Sequence, residues 1–599
     1  MASKIKTHSF HIPVMGTGFS IDSPVKVAQY GISSVISLVD DILIEKMREF
    51  YSKKINEPFH EITNKIEDYR AKRITAYLNL VDKIVHEKFE EVKSSVKESG
   101  VAFEKYMHML PNMSDLKKKF HEFTQNSHTK QDLVNWVNEH LALGSIDVNI
   151  MTKLDKPNYK DKEQLPIEYN DAHAALRGFA NSDLESSIIF SAGMNPRLYS
   201  YIEQFEDFYP DATGYIKKKI VIKVSDYRSA MIQGKFLAKK GLWVSEYRIE
   251  SGLNCGGHAF ATEGYLMGPI LQEFKDSRSE LINATYSILV DALKEKGKNA
   301  PSMPLPLKIT AQGGVGTAEE HNFLIDHYKL DSVGWGTPFL LVPEATNVDD
   351  DTLEKLAKAK EEDLYLSGIS PLGVPFNSLR GNSQDLIKNA KIDSGRPGSS
   401  CPKQFLISNR DYTERPICSA SRQFQKIKIK ELDEQNLSSS EQKEAYDKIV
   451  DKSCICVGLG TAALKINNLE HKVEGEGVSV CPGPNMAYFS SIVSLREMVD
   501  HIYGNAKVAL SAHRPNMFMK ELKMYINHLK DKMNDLAEPI AEKQLKNLAA
   551  FQQNLMDGIH YYQELVEEMK HKAEESAQKI CAELEDLKSE VMNLQLAMA

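Results

Sequence analysis

The stretch LKITAQGGVGT, residues 307–317, runs from an apolar, strand-like segment into a glycine-rich turn. Two other stretches have the same form: LWVSEYRIESGLNCGGH at 242–258 and DSVGWGT at 331–337. In a parallel α/β barrel, every strand ends in a loop on the face that carries the active site. The three stretches therefore predict neighbouring units of such a barrel, with their glycine turns on one face.

Apolar, strand-like runs alternate with helical patterns along most of the chain. Such alternation indicates a parallel sheet with right-handed crossovers. Eight runs fit a closed barrel, at residues 12–19, 32–39, 146–151, 187–191, 219–224, 242–248, 307–311 and 331–334. We predict an α/β fold of the TIM-type (β/α)8 class, with a long helical insertion after strand 2 and a C-terminal α-helical extension.

The chain divides by composition into successive parts. Residues 1–40 start the barrel, 41–140 form the helical insertion and 141–382 complete the barrel. Residues 383–514 form a mixed region that carries most of the cysteines, and residues 515–599 form a helical or coiled-coil extension. The amphipathic pattern near the C-terminus is compatible with a projecting arm and with helices packed on the flank of the barrel.

Composition excludes several functional classes. A hydrophobic content of 42% and a charged content of 26% are typical of a soluble globular protein. The net charge of −9 argues against binding to nucleic acid through phosphate contacts. No apolar run approaches the roughly 20 residues of a membrane span. The chain has only seven cysteines and its first residues lack a signal-peptide pattern, so we expect a cytoplasmic protein.

The glycine turns after the last two predicted strands could form a phosphate site. Without a Cβ atom, the backbone N–H groups of a glycine turn can approach a phosphate closely, and the next helix adds its positive end. In barrels this site commonly follows strands seven and eight. The two predicted phosphate turns are Gly313-Gly314-Val315-Gly316-Thr317 and Gly334-Trp335-Gly336-Thr337.

The order of these motifs resembles the nitronate monooxygenase group, which includes FMN-dependent enoyl reductases and the enoyl reductase partner of polyunsaturated fatty-acid synthases. Further segments that resemble the family are PVMG at 13–16, VNIM at 148–151, KVS at 223–225, FLLVPEA at 339–345 and the stretch 367–382. The resemblance covers residues 12–382 without the helical insertion.

The resemblance implies a non-covalently bound FMN, with its phosphate on the glycine turns. It places the flavin ring over Pro13, Val14, Met15 and Gly16, with Asn149 and Lys223 beside it. A lysine in this place makes physical sense, because a cation stabilises the anionic reduced flavin. The alternative is that Lys223 simply flanks the end of a strand.

His258 is the predicted catalytic residue, as general acid or base at the substrate carbon. Its unperturbed pKa near neutrality suits that work. Gly256 and Gly257 would leave room for the substrate beside the flavin, while Cys255 departs from the family pattern. The implied activity is that of an FMN-dependent oxidoreductase. Nitronate oxidation and enoyl-thioester reduction both remain open, with a small-molecule or acyl-thioester substrate and NAD(P)H as the electron donor.

The cysteines after the barrel suggest a metal site. Clustered thiolates in a cytoplasmic protein are candidate ligands of an iron–sulfur cluster. Buried free thiols and a zinc site are the alternatives. The string GLGTAA at 458–463 meets a loose dinucleotide-binding pattern, but we expect a strand-to-helix turn there. The candidate metal ligands are Cys401, Cys418, Cys454, Cys456 and Cys481.

Two functions of other classes compete with the enzyme. The chain could be a flavin and iron–sulfur electron-transfer protein, or a flavin-binding scaffold in a larger assembly. The helical additions could serve as a lid, as a contact in a homodimer or as a docking arm for a carrier protein.

Overall fold

Eight parallel strands close into a barrel at the centre of the protein. The structure is a computed structural model that describes residues 7–112, 114–125, 129–152, 154–191, 193–257, 263–534, 542–569 and 574–594. In chain order the strands are β1 (Phe10–Ile12), β2 (Ser33–Ser37), β3 (Ile146–Ile150), β4 (Ser187–Phe190), β5 (Lys219–Val224), β6 (Val244–Glu250), β7 (Lys308–Gln312) and β8 (Ser332–Gly334). They pair in the order β1-β8-β7-β6-β5-β4-β3-β2, and β2 pairs with β1 to close the ring. The predicted (β/α)8 fold is confirmed.

The strands are apolar because both of their faces are covered. β5 reads KIVIKV, and five of its six residues are buried, as expected for a parallel strand between a barrel interior and a layer of helices. Inside the barrel, Val35, Ile189 and Val221 meet in one apolar layer. The first predicted run was placed too late, since β1 ends at Ile12. Pro13 has no N–H group to continue the ladder, so the residues after Ile12 form a loop at the mouth instead.

Helices connect the strands on the outside of the barrel. Several start at a side chain that accepts a backbone N–H, such as Asp226, which accepts from Ser229 at the start of the helix after β5. The helices that follow the barrel strands are α1 (Ser23–Val27), α7 (Asp171–Ala180), α8 (Pro196–Tyr201), α9 (Tyr227–Ala238), α10 (Met267–Asp276), α11 (Arg278–Glu295), α12 (Ala318–Asp326) and α13 (Asp350–Lys358).

The insertion between β2 and β3 consists of helices, as predicted, and it has two parts. Its helices are α2 (Asp41–Lys54), α3 (Tyr69–Ser94), α4 (Val101–Met109), α5 (Asp115–Thr124) and α6 (Lys130–His140). Apolar residues of α2 and α3, such as Met47 and Leu78, belong to the main core of the barrel. Residues of α4 and α6, such as Tyr106 and Trp136, enclose a smaller core with the end of α3.

The region after the barrel opens with an antiparallel hairpin of β9 (Leu364–Ser367) and β10 (Phe376–Leu379). Its helices are α14 (Ser383–Asp393), α15 (Arg422–Asp433), α16 (Ser439–Val450), α17 (Ile455–Ile466) and α18 (Leu495–Ile502). The expected strand-to-helix turn at 458–463 is wrong, because these residues lie inside the buried helix α17. A Cβ atom on Gly458 would stand 2.2 Å from the Ser479 hydroxyl, so close packing explains this glycine.

The C-terminal helices pack on the flank of the barrel. They are α19 (Met517–Asn534), α20 (Glu542–Met569) and α21 (Glu574–Met592). Phe551 and Leu555 of α20 join the main core, and the Tyr562 hydroxyl accepts a hydrogen bond of 3.2 Å from the Gly268 N–H of α10. Of the two arrangements expected for these helices, flank packing is the one observed. None of the helices in the described residues is long and apolar enough to cross a bilayer.

Candidate functional site

A cavity of about 430 Å³ lies at the carboxyl ends of the barrel strands. Its size falls within the range usual for small-molecule sites, and its position is that of active sites in barrels of this class. Of the predicted flavin-binding residues, the cavity brings six together, namely Val14, Gly16, Asn149, Lys223, Gly256 and Gly257. The mouth of the barrel is therefore the candidate active site, and we call this space the mouth cavity.

The opposite end of the barrel holds a second cavity, of about 610 Å³. Polar groups at the amino ends of the strands form it, among them His11, Glu246 and Arg248. The Glu246 carboxylate accepts hydrogen bonds from Arg248 at 2.8 Å and from the Thr310 hydroxyl at 2.6 Å. In barrels this end serves stability, so the larger cavity is not our candidate for catalysis.

A charged network crosses the wall of the mouth cavity between β5 and β6. The Glu250 carboxylate accepts hydrogen bonds from the Lys223 ammonium at 2.9 Å, the Gln312 amide at 2.6 Å and the Asn254 amide at 2.6 Å. The side chain of Lys223 is 9% exposed and that of Glu250 is 19% exposed. The three hydrogen bonds to one oxygen hold the side chains of Glu250 and Lys223 in place at the cavity wall.

Sequence reasoning found Lys223 but missed its partner Glu250. A signal was available, because Glu250 ends the predicted sixth strand just before the glycine turn, where a polar side chain reaches the barrel mouth. Asn254 follows four residues later in the same loop.

Two polar atoms of the mouth cavity have no hydrogen-bond partner within the described part of the chain. They are Oδ1 of Asn149 and Oγ1 of Thr17, and each is inaccessible to solvent. A buried polar atom without a partner is costly, so such atoms usually meet a ligand or water. The Asn149 oxygen is an acceptor that a ring with an N–H edge would satisfy.

The loop after β6 enters the cavity through two glycines. Gly256 and Gly257 have φ values of 137° and 99°, a region that side chains disfavour. The Gly257 carbonyl accepts a hydrogen bond of 3.1 Å from the Asn377 N–H, which ties this loop to the hairpin strand β10. His258, the predicted acid or base, lies outside the described residues, directly after this glycine pair.

A buried carboxyl group joins the two sides of that loop. The Glu521 carboxyl of α19 accepts hydrogen bonds from the Ser251 hydroxyl at 2.7 Å and from the Met267 N–H at 2.8 Å. Burial raises the pKa of Glu521 to about 7. Glu521 thus fixes the start and the end of the segment that contains His258, and sequence reasoning gave no sign of it.

The predicted phosphate residues are buried and do not line the mouth cavity within the described chain. Later parts of the protein cover them. The Arg514 guanidinium donates to the Gly314 carbonyl at 2.7 Å. It also forms a bidentate ion pair with Glu320, in which both contacts are 2.8 Å long. Glu320 also accepts the Gly316 N–H at 2.9 Å. A carboxylate of the protein itself therefore takes the place that a phosphate oxygen would need at Gly316.

The turn after β8 is covered as well. A Cβ atom on Gly483 would stand 2.7 Å from the Thr337 hydroxyl, and one on Gly336 would stand 3.2 Å from the Pro13 ring. The Met15 side chain is fully buried beneath the mouth. As arranged here, the glycine turns do not admit a phosphate.

The predicted cysteines separate into two groups. Cys481 lies beside Cys255, whose thiol donates to the Cys481 carbonyl at 3.5 Å. Burial raises the pKa of Cys255 to about 12 and raises the pKa of Cys481 well above its usual range, so both are neutral thiols. The other group consists of Cys401, Cys418, Cys454 and Cys456, of which Cys456 lines the mouth cavity. Burial raises the pKa of Cys454 and that of Cys456, and no three His, Cys, Asp or Glu residues in the described ranges are placed to hold a metal ion.

Comparisons with known proteins add little to these observations. No family model and no curated protein matches the chain. Among solved structures, it is similar to the enoyl reductase domain of MlnA from the macrolactin biosynthesis cluster of Bacillus amyloliquefaciens. The two chains are 14% identical over 68% of this chain and 86% of that one, with a TM-score of 0.31. The class of this protein therefore rests on its own closed barrel.

Proposed function

We propose that the protein is a flavin-dependent oxidoreductase whose mouth cavity binds the flavin ring. The carrying observation is the convergence of Lys223, Asn149 and the two loop glycines on one cavity at the carboxyl ends of the strands. The motif order that resembles FMN-dependent barrels supports the same assignment. FMN bound there would supply hydride transfer to or from a substrate carbon.

The residues of the chain would bind the flavin and polarise its ring. Lys223 would place a positive charge against the ring, and Glu250 would hold that charge in position through its hydrogen bond of 2.9 Å. Asn149 would accept a ring N–H with an oxygen that has no other partner in the described chain. Gly256 and Gly257 would leave space for a substrate, and His258 would move a proton at the reacting carbon. Nitronate oxidation and enoyl-thioester reduction remain the two reaction types.

Flavin binding tests this proposal directly. We expect the purified protein to be yellow, or to bind added FMN or riboflavin in a fluorescence titration. Lys223→Ala should weaken flavin binding about tenfold, the equivalent of about 1.4 kcal/mol, because the cavity loses its cation. Lys239→Ala, at the exposed end of α9, is the matched control and should change nothing. A colourless protein that binds neither flavin would overturn the proposal.

The same titration tests the phosphate turns. If FMN binds far more tightly than riboflavin, its phosphate displaces the Glu320 carboxylate from the Gly316 N–H. If the two bind equally, the glycine turns stay closed and the ring alone provides the affinity.

His258→Ala should leave flavin binding unchanged and abolish turnover of the substrate. Retained turnover would remove His258 from the mechanism. The roles of the C-terminal helices in a dimer or in carrier-protein docking stay predictions.

A further inference from the structure

Part of the lining of the mouth cavity is apolar and comes from residues after the barrel. Four buried side chains form it, and we call them the roof: Phe405 and Leu406 from the loop that follows α14, and Ile455 and Leu459 from α17. The barrel contributes polar side chains to the same cavity, such as that of Asn149. The segments that resemble flavin-dependent barrels end at residue 382, so the resemblance implies nothing about the roof.

Helix α17 lies directly on the loop that follows β1. The Gly18 N–H donates to the Leu459 carbonyl at 3.0 Å. A Cβ atom on Gly18 would stand 2.8 Å from that oxygen and 3.0 Å from the Cα atom of Gly460, so a side chain at residue 18 would push the helix away. This close contact brings Ile455 and Leu459 to the mouth of the barrel.

A buried ion pair holds the loop of Phe405 and Leu406 in place. The Lys403 ammonium donates to the Asp40 carboxylate at 2.6 Å, and both side chains are 1% exposed. Asp40 also caps α2, where it accepts the Leu43 N–H at 2.9 Å. Because it is costly to separate the partners of a buried pair, the loop keeps this position. A ligand therefore does not have to order the roof when it binds, which favours affinity.

The lining of the mouth cavity carries no net charge within the described residues. Its charged side chains there are Lys223 and Glu250, which are hydrogen-bonded to each other at 2.9 Å. An ionised group of a ligand would leave water without meeting an unpaired counter-charge, which is costly. A neutral polar group can instead form hydrogen bonds with side chains such as Asn149, while hydrocarbon gains free energy from burial under the roof.

We propose that the roof binds the hydrocarbon chain of an uncharged substrate and sets the length of chain that the mouth cavity accepts. Phe405, Leu406, Ile455 and Leu459 are then the residues that determine specificity. That the bound chain belongs to a substrate rests on the proposed function, whereas its binding by the roof does not.

Two series of straight-chain ligands test the roof on the intact protein by calorimetric titration. For butanamide, hexanamide, octanamide and decanamide, affinity should rise about fourfold with each added methylene, because each one is removed from water. The rise should reach a plateau when the chain has filled the cavity. At neutral pH, the carboxylates of the same lengths should bind at least about tenfold more weakly than the amides, because their charge finds no partner.

Two variants should move the plateau in opposite directions. Phe405→Ala removes a ring from the roof, so the plateau should shift to chains longer by at least about two methylenes. Leu406→Phe adds bulk and should shift the plateau to shorter chains. Leu437→Ala is the matched control at a residue that is 38% exposed, and it should leave the series unchanged. Unfolding cannot produce tighter binding of longer chains, so Phe405→Ala is informative even if it lowers stability.

Three results would overturn the inference. They are an affinity that does not rise with chain length, carboxylates that bind as tightly as the amides, and a plateau that stays in place in both variants while circular dichroism shows them folded. Flavin content is measured on the same samples. Colourless protein that still prefers longer amides counts against the proposed function alone, and yellow protein without that preference counts against the roof alone.

Discussion

Replacing Arg514 with methionine should destabilise the protein strongly, because it leaves a buried carboxylate without its cation. The side chains of Arg514 and Glu320 are only 5% and 7% exposed. Arg514 donates to Glu320 through two nitrogens, to the Gly314 carbonyl and to the Asn485 side chain at 2.8 Å. Removing one partner of a buried pair typically costs about 3–5 kcal/mol.

In the Arg514→Met protein, two backbone hydrogen bonds would still stabilise the Glu320 carboxylate. It still accepts the N–H groups of Gly316 at 2.9 Å and Met517 at 2.8 Å. We therefore expect the lower end of that range, about 3 kcal/mol in the free energy of unfolding. Adding Glu320→Gln should recover about 1–2 kcal/mol of the loss, because a neutral amide costs less to bury than an unpaired charge.

Urea unfolding followed by tryptophan fluorescence measures these effects. Trp335 is one residue from Gly336, and it is buried against His501, so its emission reports on this part of the protein. The matched control is Arg496→Met, whose side chain is 60% exposed and 3.7 Å from Asp500. That change should cost less than about 0.5 kcal/mol.

Two results would refute the reasoning. If the free energy of unfolding of Arg514→Met lies within about 0.5 kcal/mol of the wild-type value, the Arg514–Glu320 pair does not hold the C-terminal segment on the barrel. If Glu320→Gln makes the Arg514→Met protein less stable, the buried charge is not the source of the loss.

The remaining predictions concern pH and the insertion. Because burial raises the pKa of Glu521 from 4.5 to about 7, the folded state binds its proton more tightly than the unfolded state, and stability falls as pH rises across this range. Wild-type protein should lose roughly 3 kcal/mol from this group between about pH 5 and pH 8, while Glu521→Gln should lose far less in the same urea assay. An equal loss in both proteins would exclude Glu521 as the cause. Trp136→Ala should lower the free energy of unfolding of the small core between α4 and α6 by about 3–5 kcal/mol. Hydrogen exchange in these two helices should then become faster. Faster exchange in the barrel strands as well would show that the two cores unfold together.

The barrel was predictable because its signal is local and repeated. Each buried strand is a short apolar run, so seven of the eight predicted runs overlap their strands closely, from 32–39 over β2 to 331–334 over β8. The first run was displaced because Pro13 ends the ladder inside an apolar stretch. The glycine string at 458–463 misled because glycines in a close-packed helix look like those of a turn.

The site was predictable only in part, since its partners come from distant segments. Lys223 and Asn149 are recognisable at the ends of their strands, and the structure places both on the mouth cavity. Arg514 and Glu521 reach the barrel from more than 180 residues beyond the loops that they contact. No local sequence pattern predicts such contacts, because they depend on how the C-terminal helices pack against the barrel.

The covering of the glycine turns by later residues has a consequence during synthesis. The barrel ring needs β8 and can close once residue 334 has left the ribosome, whereas Arg514 and Met517 emerge about 180 residues later. At a synthesis rate of about 5–20 residues per second, this interval lasts roughly 10–40 s. During that time the turns at Gly314 and Thr337 lack their later covering, and afterwards Arg514 closes over the first and Gly483 over the second.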